Sequence, residues 1–383
     1  MRIAVAGALA QRPGRGGHAW VFLQYLLGFK RLGCDVVFID RLEPEMCVDG
    51  EGRRCRAEAS LNVNYLREVM AGFGLHESWA VLVDEGRDSI GIERKTLTRF
   101  MNGADLLIDV MGYLQADDLL EAAAQRVFLD IDPGFPQMWF DQGLHDPFGH
   151  HDAYLTVGAN IGRPDCPIPT CGIDWIATRP PVVLEHWPVR EPHSCKVTSV
   201  ATWRGPFAPL EQDGVKYGLR AHQLRSLIAL ASMTRFQLEL ALDIDPADGR
   251  DIAQLQEHGW RLVDPKTVAG TPRSYEEYIR QSAAELMIPK GMYAQSASGW
   301  FSDRSVCYLA AGRPVVAQDT GLARSYPVDK GLLLFSTLAE AADRLCSLQE
   351  DYLGHSDAAR SIAEDYFDSD RVLTGLLDEV GRC

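Results

Sequence analysis

Short runs of Val, Ile and Leu alternate with longer amphipathic stretches along most of the chain, and this alternation constrains the fold more than any single motif. Parallel strands read as continuous apolar runs because helices cover both faces of their sheet. In the first half, strands are predicted at 3–9, 35–40, 80–84, 105–112, 126–132 and 153–158, and helices near 18–32, 60–74, 91–102 and 116–124.

The alternation stops between residues 159 and 195, where prolines stand at 164, 167, 169, 180, 181, 188 and 192. Proline fixes φ and removes a backbone donor, so a linker or a stiff wrapping segment is expected there. The pattern then resumes, with strands predicted at 197–203, 236–244, 260–264, 285–290, 314–319 and 331–336, and helices near 217–233, 248–258, 274–283, 303–311, 337–349 and 357–381.

Two α/β halves around a proline-rich joint predict two Rossmann-like, doubly wound domains that face each other across a cleft. We expect an N-terminal domain at 1–178, a linker at 179–195, a second domain at 196–356 and a C-terminal helix at 357–383 that packs back toward the first domain. A single large sheet is the competing interpretation, against which the gap in the pattern argues. Ligands of such sheets lie outside the carboxyl ends of the strands, so a bound molecule is expected in the cleft.

Length, composition and charge argue against several classes of function. A chain of 383 residues exceeds what one core usually fills, and its net charge of −15 opposes nucleic acid as a bulk partner because no basic block compensates for it. Nine scattered cysteines without CxxC indicate a reducing cytoplasm. No apolar run approaches the roughly 20 residues that span a bilayer, and the chain begins directly with a predicted strand, so neither membrane insertion nor secretion is expected.

Two stretches resemble GT-B glycosyltransferases. YLAAGRPVVAQDTG (308–321) resembles the helix, strand and glycine loop of their C-terminal domain, and GRGGHAWVFLQYLLGFKRLGCDVVFID (14–40) resembles their first glycine-rich loop, helix and second strand. With the two-domain layout, the resemblance spans nearly the whole chain. It implies an N-terminal acceptor domain, a C-terminal donor domain, a UDP-, GDP- or TDP-sugar as co-substrate, no permanently bound cofactor and no bound metal.

One departure from the family pattern concerns the donor. Retaining members carry a pair of Glu residues at the positions that match Gly299 and Cys307, and plant-type inverting members keep one at the position of Cys307. Asp303, one helical turn before Cys307, is the carboxylate on the same face that could replace it. Simple capping of the helix is the alternative role for Asp303.

The start of the same helix, with Ser302, Arg304 and Ser305 beside Asp303, is predicted to bind the donor's phosphates. Free amides and the helix dipole favour an anion at a helix start, and Arg304 adds charge-assisted hydrogen bonds.

The resemblance assigns Arg204 and Lys216 to the diphosphate, with a solvated loop as the alternative. Lys290, just before the phosphate helix, is predicted from its position to line the donor site.

On the acceptor side, Gly16 and Gly17 are predicted to let the backbone approach a ligand, and His18 is the candidate base. An ordinary polar helix cap is the alternative for His18. Asp109, or one of Asp130 and Asp132, is expected to orient the base. Asp132 precedes a proline, so beginning a turn and facing the acceptor are alternative roles for it. Trp139 is expected in an apolar acceptor wall.

The cluster of His150, His151 and Asp152 lacks a second ligand set with useful spacing, so a structural or acceptor-loop role is expected rather than a metal site.

These features together predict a metal-independent, inverting hexosyltransferase that acts on a small-molecule acceptor, with a homodimer left open. A GT-B-like binding or sensing protein without transferase activity is the alternative. An oxidoreductase is a further alternative, but GALAQRPGRGGHAW lacks the spacing of GxGxxG.

Overall fold

The computed structural model describes residues 1–191, 194–205 and 207–381. Residues 192–193 of the expected linker and 382–383 of the expected C-terminal helix lie outside this range.

The first half of the chain forms an eight-stranded sheet in the order β4-β3-β2-β1-β5-β6-β7-β8, in which only β4 is antiparallel to its neighbour. Its strands are β1 Arg2–Ala6, β2 Asp35–Arg41, β3 Trp79–Val83, β4 Asp88–Gly91, β5 Leu106–Val110, β6 Arg126–Asp130, β7 Ala153–Thr156 and β8 Trp175–Ala177. Its helices are α1 Gly16–Arg31, α2 Leu61–Gly72, α3 Arg94–Met101, α4 Asp117–Leu120 and α5 Phe135–Asp141.

The second half forms a six-stranded parallel sheet in the order β13-β12-β9-β14-β15-β16, and a separate hairpin of β10 and β11. The strands are β9 Lys196–Thr202, β10 Leu210–Gln212, β11 Val215–Tyr217, β12 Gln237–Asp243, β13 Arg261–Val263, β14 Ala284–Met287, β15 Val315–Gln318 and β16 Leu332–Phe335. The helices are α6 Arg220–Ser226, α7 Gly249–Glu257, α8 Pro265–Ala269, α9 Pro272–Gln281, α10 Gly291–Ser296, α11 Asp303–Ala310, α12 Leu338–Glu350, α13 Tyr352–Ile362 and α14 Ser369–Val380.

Every strand that the sequence predicts is present, and so is the α/β class with two doubly wound sheets. The sequence pattern did not predict several short elements, namely β4, β8, the hairpin, α5, α8 and α10. The helix expected at 217–233 begins only at Arg220, because β11 occupies residues up to Tyr217, and it tightens into a 3₁₀ segment at Ile228–Ser232. The single helix expected at the C-terminus is α13 and α14, separated by a π-helical turn at Ala363–Phe367.

The end of the chain returns to the first sheet, where α14 packs on α1. A Cβ atom at Gly28 of α1 would lie 2.4 Å from Leu373 Cδ1 and 3.1 Å from Ser369 Cβ, so a larger residue there would displace side chains of α14. Hydrogen bonds join the proline-rich segment to α1 and to the π-helical turn. Val183 N donates to Gln24 Oε1 (2.7 Å) on α1, and Val182 N donates to Phe367 O (2.7 Å) in the turn.

One buried cluster of apolar side chains includes residues of both halves, so the two sheets share a core where they meet. The domain boundaries suggested by the sequence stay a prediction. Within the described ranges, no helix combines the length and the apolar character needed to cross a membrane.

Candidate active site

A cavity of about 930 Å³ lies between the carboxyl ends of the two sheets. Its N-terminal wall is formed by residues within 12–21, 111–113 and 131–132, which follow β1, β5 and β6. Its C-terminal wall is formed by residues within 200–304. The strand order reverses between β1 and β5 and again between β9 and β14, and ligands of open α/β sheets bind at such reversals.

The sequence predictions divide between the cavity and its surroundings. The predicted site residues that line the cavity are Gly17, His18, Asp132, Lys290, Ser302, Asp303 and Arg304. Those outside its lining are Gly16, Asp109, Trp139, Arg204, Lys216 and Ser305.

His18 is the third residue of α1, and its Nε2 lies 3.0 Å from the carbonyl oxygen of Ala8. A carbonyl only accepts, so Nε2 carries the hydrogen and Nδ1 keeps a free lone pair. Burial, and then the positive charge of Arg12, lower the pKa of His18 to about 4. The imidazole is therefore a neutral base at neutral pH, and the Ala8 carbonyl orients it where the sequence analysis expected a carboxylate.

Asp109 is fully buried at the end of β5, away from His18. Its Oδ1 accepts from Leu114 N (3.1 Å), and its Oδ2 lies 3.3 Å from His151 Nε2. Burial raises the pKa of this carboxyl group. Asp109 thus holds the loop that follows β5 and contacts neither His18 nor the cavity.

Asp132 forms an ion pair across the cleft with Lys290, whose Nζ lies 3.0 Å from both carboxylate oxygens. The same ammonium lies 4.9 Å from the ring centres of Phe135 and Phe207 and 5.4 Å from that of Tyr293. Burial lowers the pKa of Lys290, and Asp132 opposes that effect. The pair joins the end of β6 to the end of β14, so Asp132 is engaged with Lys290 rather than with His18.

Trp139 packs behind this cage of rings. Its ring centre lies 4.9 Å from that of Phe207 in an edge-to-face arrangement. It supports the cage and does not line the cavity.

At the start of α11, Ser302 caps the helix by accepting from Arg304 N (3.2 Å). Asp303 faces the cavity, and burial raises its pKa to about 6. Arg304 Nε donates to the buried Glu285, and its Nη1 donates to Val200 O (2.9 Å). Glu285 thus compensates the charge of Arg304. Ser305 is fully buried behind them.

Arg220, the first residue of α6, is a cation that the sequence analysis missed. It is 8% exposed and lines the cavity, with Nε donating to Ile288 O (2.8 Å) and Nη1 to Thr202 O (3.1 Å). Within the described part of the chain, no carboxylate forms an ion pair with it. Burial and the charge of Arg304 lower its pKa to about 10. The charges of Asp132, Glu285 and Asp303 oppose that effect, although none of the three forms a direct ion pair with Arg220. A buried arginine without a direct ion pair favours a negatively charged ligand, so an anion is expected to bind there.

The resemblance assigned two cations, Arg204 and Lys216, to the diphosphate. Neither of them lines the main cavity. Arg204 forms an ion pair with Asp248 and lines a neighbouring cavity of about 260 Å³. Lys216 lies on β11 and is exposed, and its backbone carbonyl oxygen accepts from Gln295 Nε2 (3.2 Å).

The two predicted loop glycines serve the contact between the halves. A Cβ at Gly16 would lie 2.1 Å from Thr271 O, and one at Gly17 would lie 2.8 Å from the Tyr275 ring. Their small size therefore lets α1 approach the segment that begins α9. Gly17 also lines the cavity, and the predicted approach of this backbone to a ligand stays a prediction.

The C-terminal wall ends in an apolar lobe between α7 and the ends of β12 and β13. The residues that form it are Leu242, Ile244, Ile252, Leu262, Val263 and Pro265. A flat aromatic group fits the chemistry of such a lobe.

No group of three or more His, Cys, Asp or Glu suited to a metal ion occurs among the described residues. In the histidine cluster, Asp152 forms an ion pair with Arg126 (2.6 Å) and His151 lies against Asp109. The absence of a metal from the reaction stays a prediction.

Solved structures with a similar fold cover the whole chain. Anabaena HepE in complex with UDP and glucose has a TM-score of 0.56 at 14% identity, with 100% of both chains covered. An alpha-glucosyltransferase in complex with UDP has a TM-score of 0.57 at 11% identity, with 100% of both covered. Sucrose-phosphate synthase from Thermosynechococcus elongatus has a TM-score of 0.56 at 13% identity, covering 99% of this chain and 98% of that one.

These likenesses identify the fold as GT-B, the fold that the sequence resemblance predicted. No protein-family model and no curated protein matches the sequence.

Proposed function

We propose that this protein is a glycosyltransferase that moves a hexose from a nucleotide sugar to a small-molecule acceptor, without a metal ion and with inversion at the anomeric carbon. The observation that carries the proposal is Arg220, a buried cation without an ion-pair partner, in a cavity where both sheets reverse their strand order. The similar structures with bound UDP support a nucleoside diphosphate as the anion.

In the proposed complex, the diphosphate of the donor contacts Arg220 and the free amides at the start of α11. The base of a UDP-, GDP- or TDP-sugar occupies the apolar lobe. Asp303 is the carboxylate nearest to this helix start that can accept from a hydroxyl of the donor, as Cys307 cannot. Cys307 is buried, and its Sγ accepts from Gln24 Nε2 (3.7 Å) on α1.

The proposed reaction is a single displacement. His18 Nδ1 takes the proton of an acceptor hydroxyl while the hydroxyl oxygen attacks the anomeric carbon. The bond from that carbon to the phosphate oxygen breaks, and its electron pair leaves with the nucleoside diphosphate, whose growing charge Arg220 stabilises. The negative charges of the diphosphate oppose the effect of Arg12 on His18 and raise its pKa toward the ordinary value, which strengthens the base.

Titration calorimetry with UDP, GDP, TDP and NADH tests the proposal. We expect one of the three diphosphates to bind, and Arg220→Gln to weaken it about tenfold or more, the value of a charge-assisted hydrogen bond. Arg225→Gln is the matched control, because Arg225 lies on the same helix but forms an ion pair with Asp251 (2.6 Å).

Each alternative function has its own outcome. Binding of NADH alone would replace the transferase with an oxidoreductase. Binding of none of the four ligands would favour a GT-B-like binding protein without transferase activity. Binding of a diphosphate that does not respond to Arg220→Gln would reject the assignment of this residue.

A further inference from the structure

Arg12, on the N-terminal wall, is a second cation that forms no ion pair with a described residue. It lines both the main cavity and the neighbouring one of about 260 Å³. No described residue forms a hydrogen bond or an ion pair with its guanidinium. Arg15, three residues later, differs because it forms an ion pair with Asp243 (2.9 Å) across the cleft. The charge of Arg12 is therefore available to a ligand.

The loop that carries Arg12 is held firmly. Asp40, 2% exposed at the end of β2, accepts from Ala10 N (2.5 Å) and from Gln11 Nε2 (3.0 Å). Asn62, equally buried, donates to Ala10 O (2.8 Å). Because two buried side chains fix the preceding residues, Arg12 is presented to the cavity by a preorganised loop, as a binding site requires.

Tyr113 reaches the same part of the cavity from the loop after β5. Met111 and Gly112 precede it with φ of 57° and 68°, and a left-handed methionine is a conformation that the surrounding structure must enforce. Asp109 enforces it by accepting from Leu114 N (3.1 Å). Arg12 and Tyr113 both line the main cavity. Burial raises the pKa of Tyr113, and the charge of Arg12 opposes that rise.

Arg12, Tyr113 and His18 all belong to the N-terminal wall, opposite the cation and the helix start assigned to the donor. The only carboxylate among the described lining residues of that wall, Asp132, is engaged by Lys290. This wall thus offers a cation, a phenol and a neutral base without a free negative charge. Such a set suits a ligand that carries both an anionic group and a hydroxyl.

We propose that Arg12 and Tyr113 bind an anionic group of the acceptor, a phosphate monoester or a carboxylate, and thereby place a hydroxyl of the same molecule next to His18. The assignment rests on the proposed function, since it names the acceptor class of the same cavity. It predicts that the protein discriminates among acceptors by charge.

Calorimetry on the protein saturated with its nucleoside diphosphate tests the proposal, with inorganic phosphate, acetate and neutral glycerol as probes at constant ionic strength. We expect saturable binding of phosphate or acetate, whichever anion the acceptor carries, but not of glycerol. Arg12→Gln should weaken that binding about tenfold, and Tyr113→Phe a few-fold, as loss of a charge-assisted hydrogen bond predicts. Arg12→Lys should restore part of it. Arg87→Gln, which removes an exposed arginine far from the cavity, is the control for net charge.

The outcomes separate this proposal from the one on which it rests. The acceptor assignment is overturned if Arg12→Gln leaves anion binding unchanged. It is also overturned if the same variant weakens the diphosphate tenfold, because Arg12 would then belong to the donor site. If no diphosphate binds the wild type, the proposed function fails, and the probes are applied to the free protein. Anion binding that depends on Arg12 but not on Arg220 would then still support a separate anion site, and its absence would reject it.

Discussion

The two walls of the cavity differ in their buried ionisable side chains and in the partners that these side chains contact. On the C-terminal wall two buried arginines differ in their partners, since Arg304 has a buried carboxylate partner whereas Arg220 has only carbonyl and hydroxyl acceptors among the described residues. Behind the N-terminal wall the buried ionisable groups are aspartates at strand ends. Asp40 and Asp109 accept from the loops that form the wall, and Asp130 accepts from Gln137 Nε2 (2.8 Å).

This difference shows which groups can respond to a ligand. The aspartates are consumed in holding loops, so they shape the N-terminal wall without contacting its contents. Arg220 is held by hydrogen bonds to neutral acceptors and has no direct ion pair among the described residues, so its charge can act on a ligand that enters the cavity. The variants described next weaken or sharpen this contrast, from the largest expected effect to the smallest.

Removal of the base should have the largest effect. His18→Ala is expected to lower kcat by about 10²–10⁴-fold, the usual contribution of a general base, while the affinity for the diphosphate stays within twofold. Steady-state kinetics and calorimetry measure the two quantities. Because burial and Arg12 lower the pKa of His18 to about 4, the basic form persists at neutral pH, and kcat/KM of the wild type should fall only as the pH drops through that value. An acidic limb near 6.5 would show that burial does not control this group.

The next test breaks the buried pair of the C-terminal wall. Glu285→Ala leaves Arg304 without its buried partner and should lower the free energy of unfolding by about 3–5 kcal/mol, measured by urea denaturation. Asp165→Ala, which breaks the exposed pair with Arg324, should cost less than about 1 kcal/mol. Equal costs for the two variants would contradict the contrast between buried and exposed charge.

The stability that Asp40 contributes, as the residue that holds a loop of the N-terminal wall, should depend on pH. Burial raises the pKa of Asp40 to about 7, so the folded state favours its protonated form. The stability that this group contributes is complete below the ordinary pKa near 3.8 and declines as the pH rises toward 7. Asp40→Asn removes this decline. The free energy of unfolding of the variant minus that of the wild type should therefore increase by more than about 1 kcal/mol between pH 4 and pH 7. Parallel unfolding curves across this range would refute the raised pKa.

Arg204 provides the smallest expected effect. Its charge is compensated by Asp248 outside the main cavity, so Arg204→Gln should change the affinity for a nucleoside diphosphate by less than about twofold. A tenfold loss would return the phosphate role to the residue that the family resemblance assigned.

The sequence predicted the strands correctly, because apolar runs are buried in parallel sheets. A cavity lies where a cleft was expected, at the carboxyl ends of both sheets, and the roles of the residues that line it stay predictions. The partner of each polar side chain was not predictable, because partners come from distant segments. Asp109 meets His151, 42 residues away, and nothing in the local pattern indicates that contact.

Arg220 escaped prediction for a related reason. The sequence shows an arginine in a helical stretch, and only the packed structure reveals that it is buried and lacks an ion pair. The hairpin of β10 and β11 also shifts the start of the helix, so that Arg220 becomes its first residue. The local sequence LRAHQ (219–223) gives no sign of that shift.

The contact between α14 and α1 has a consequence for synthesis. The surface of α1 that approaches Leu373 stays uncovered until α14, more than 300 residues later in the chain, has been synthesised. The N-terminal half therefore cannot complete its packing as a nascent chain, although domains generally fold in order of translation. A stop codon before α14 would leave this face of α1 without its partner helix.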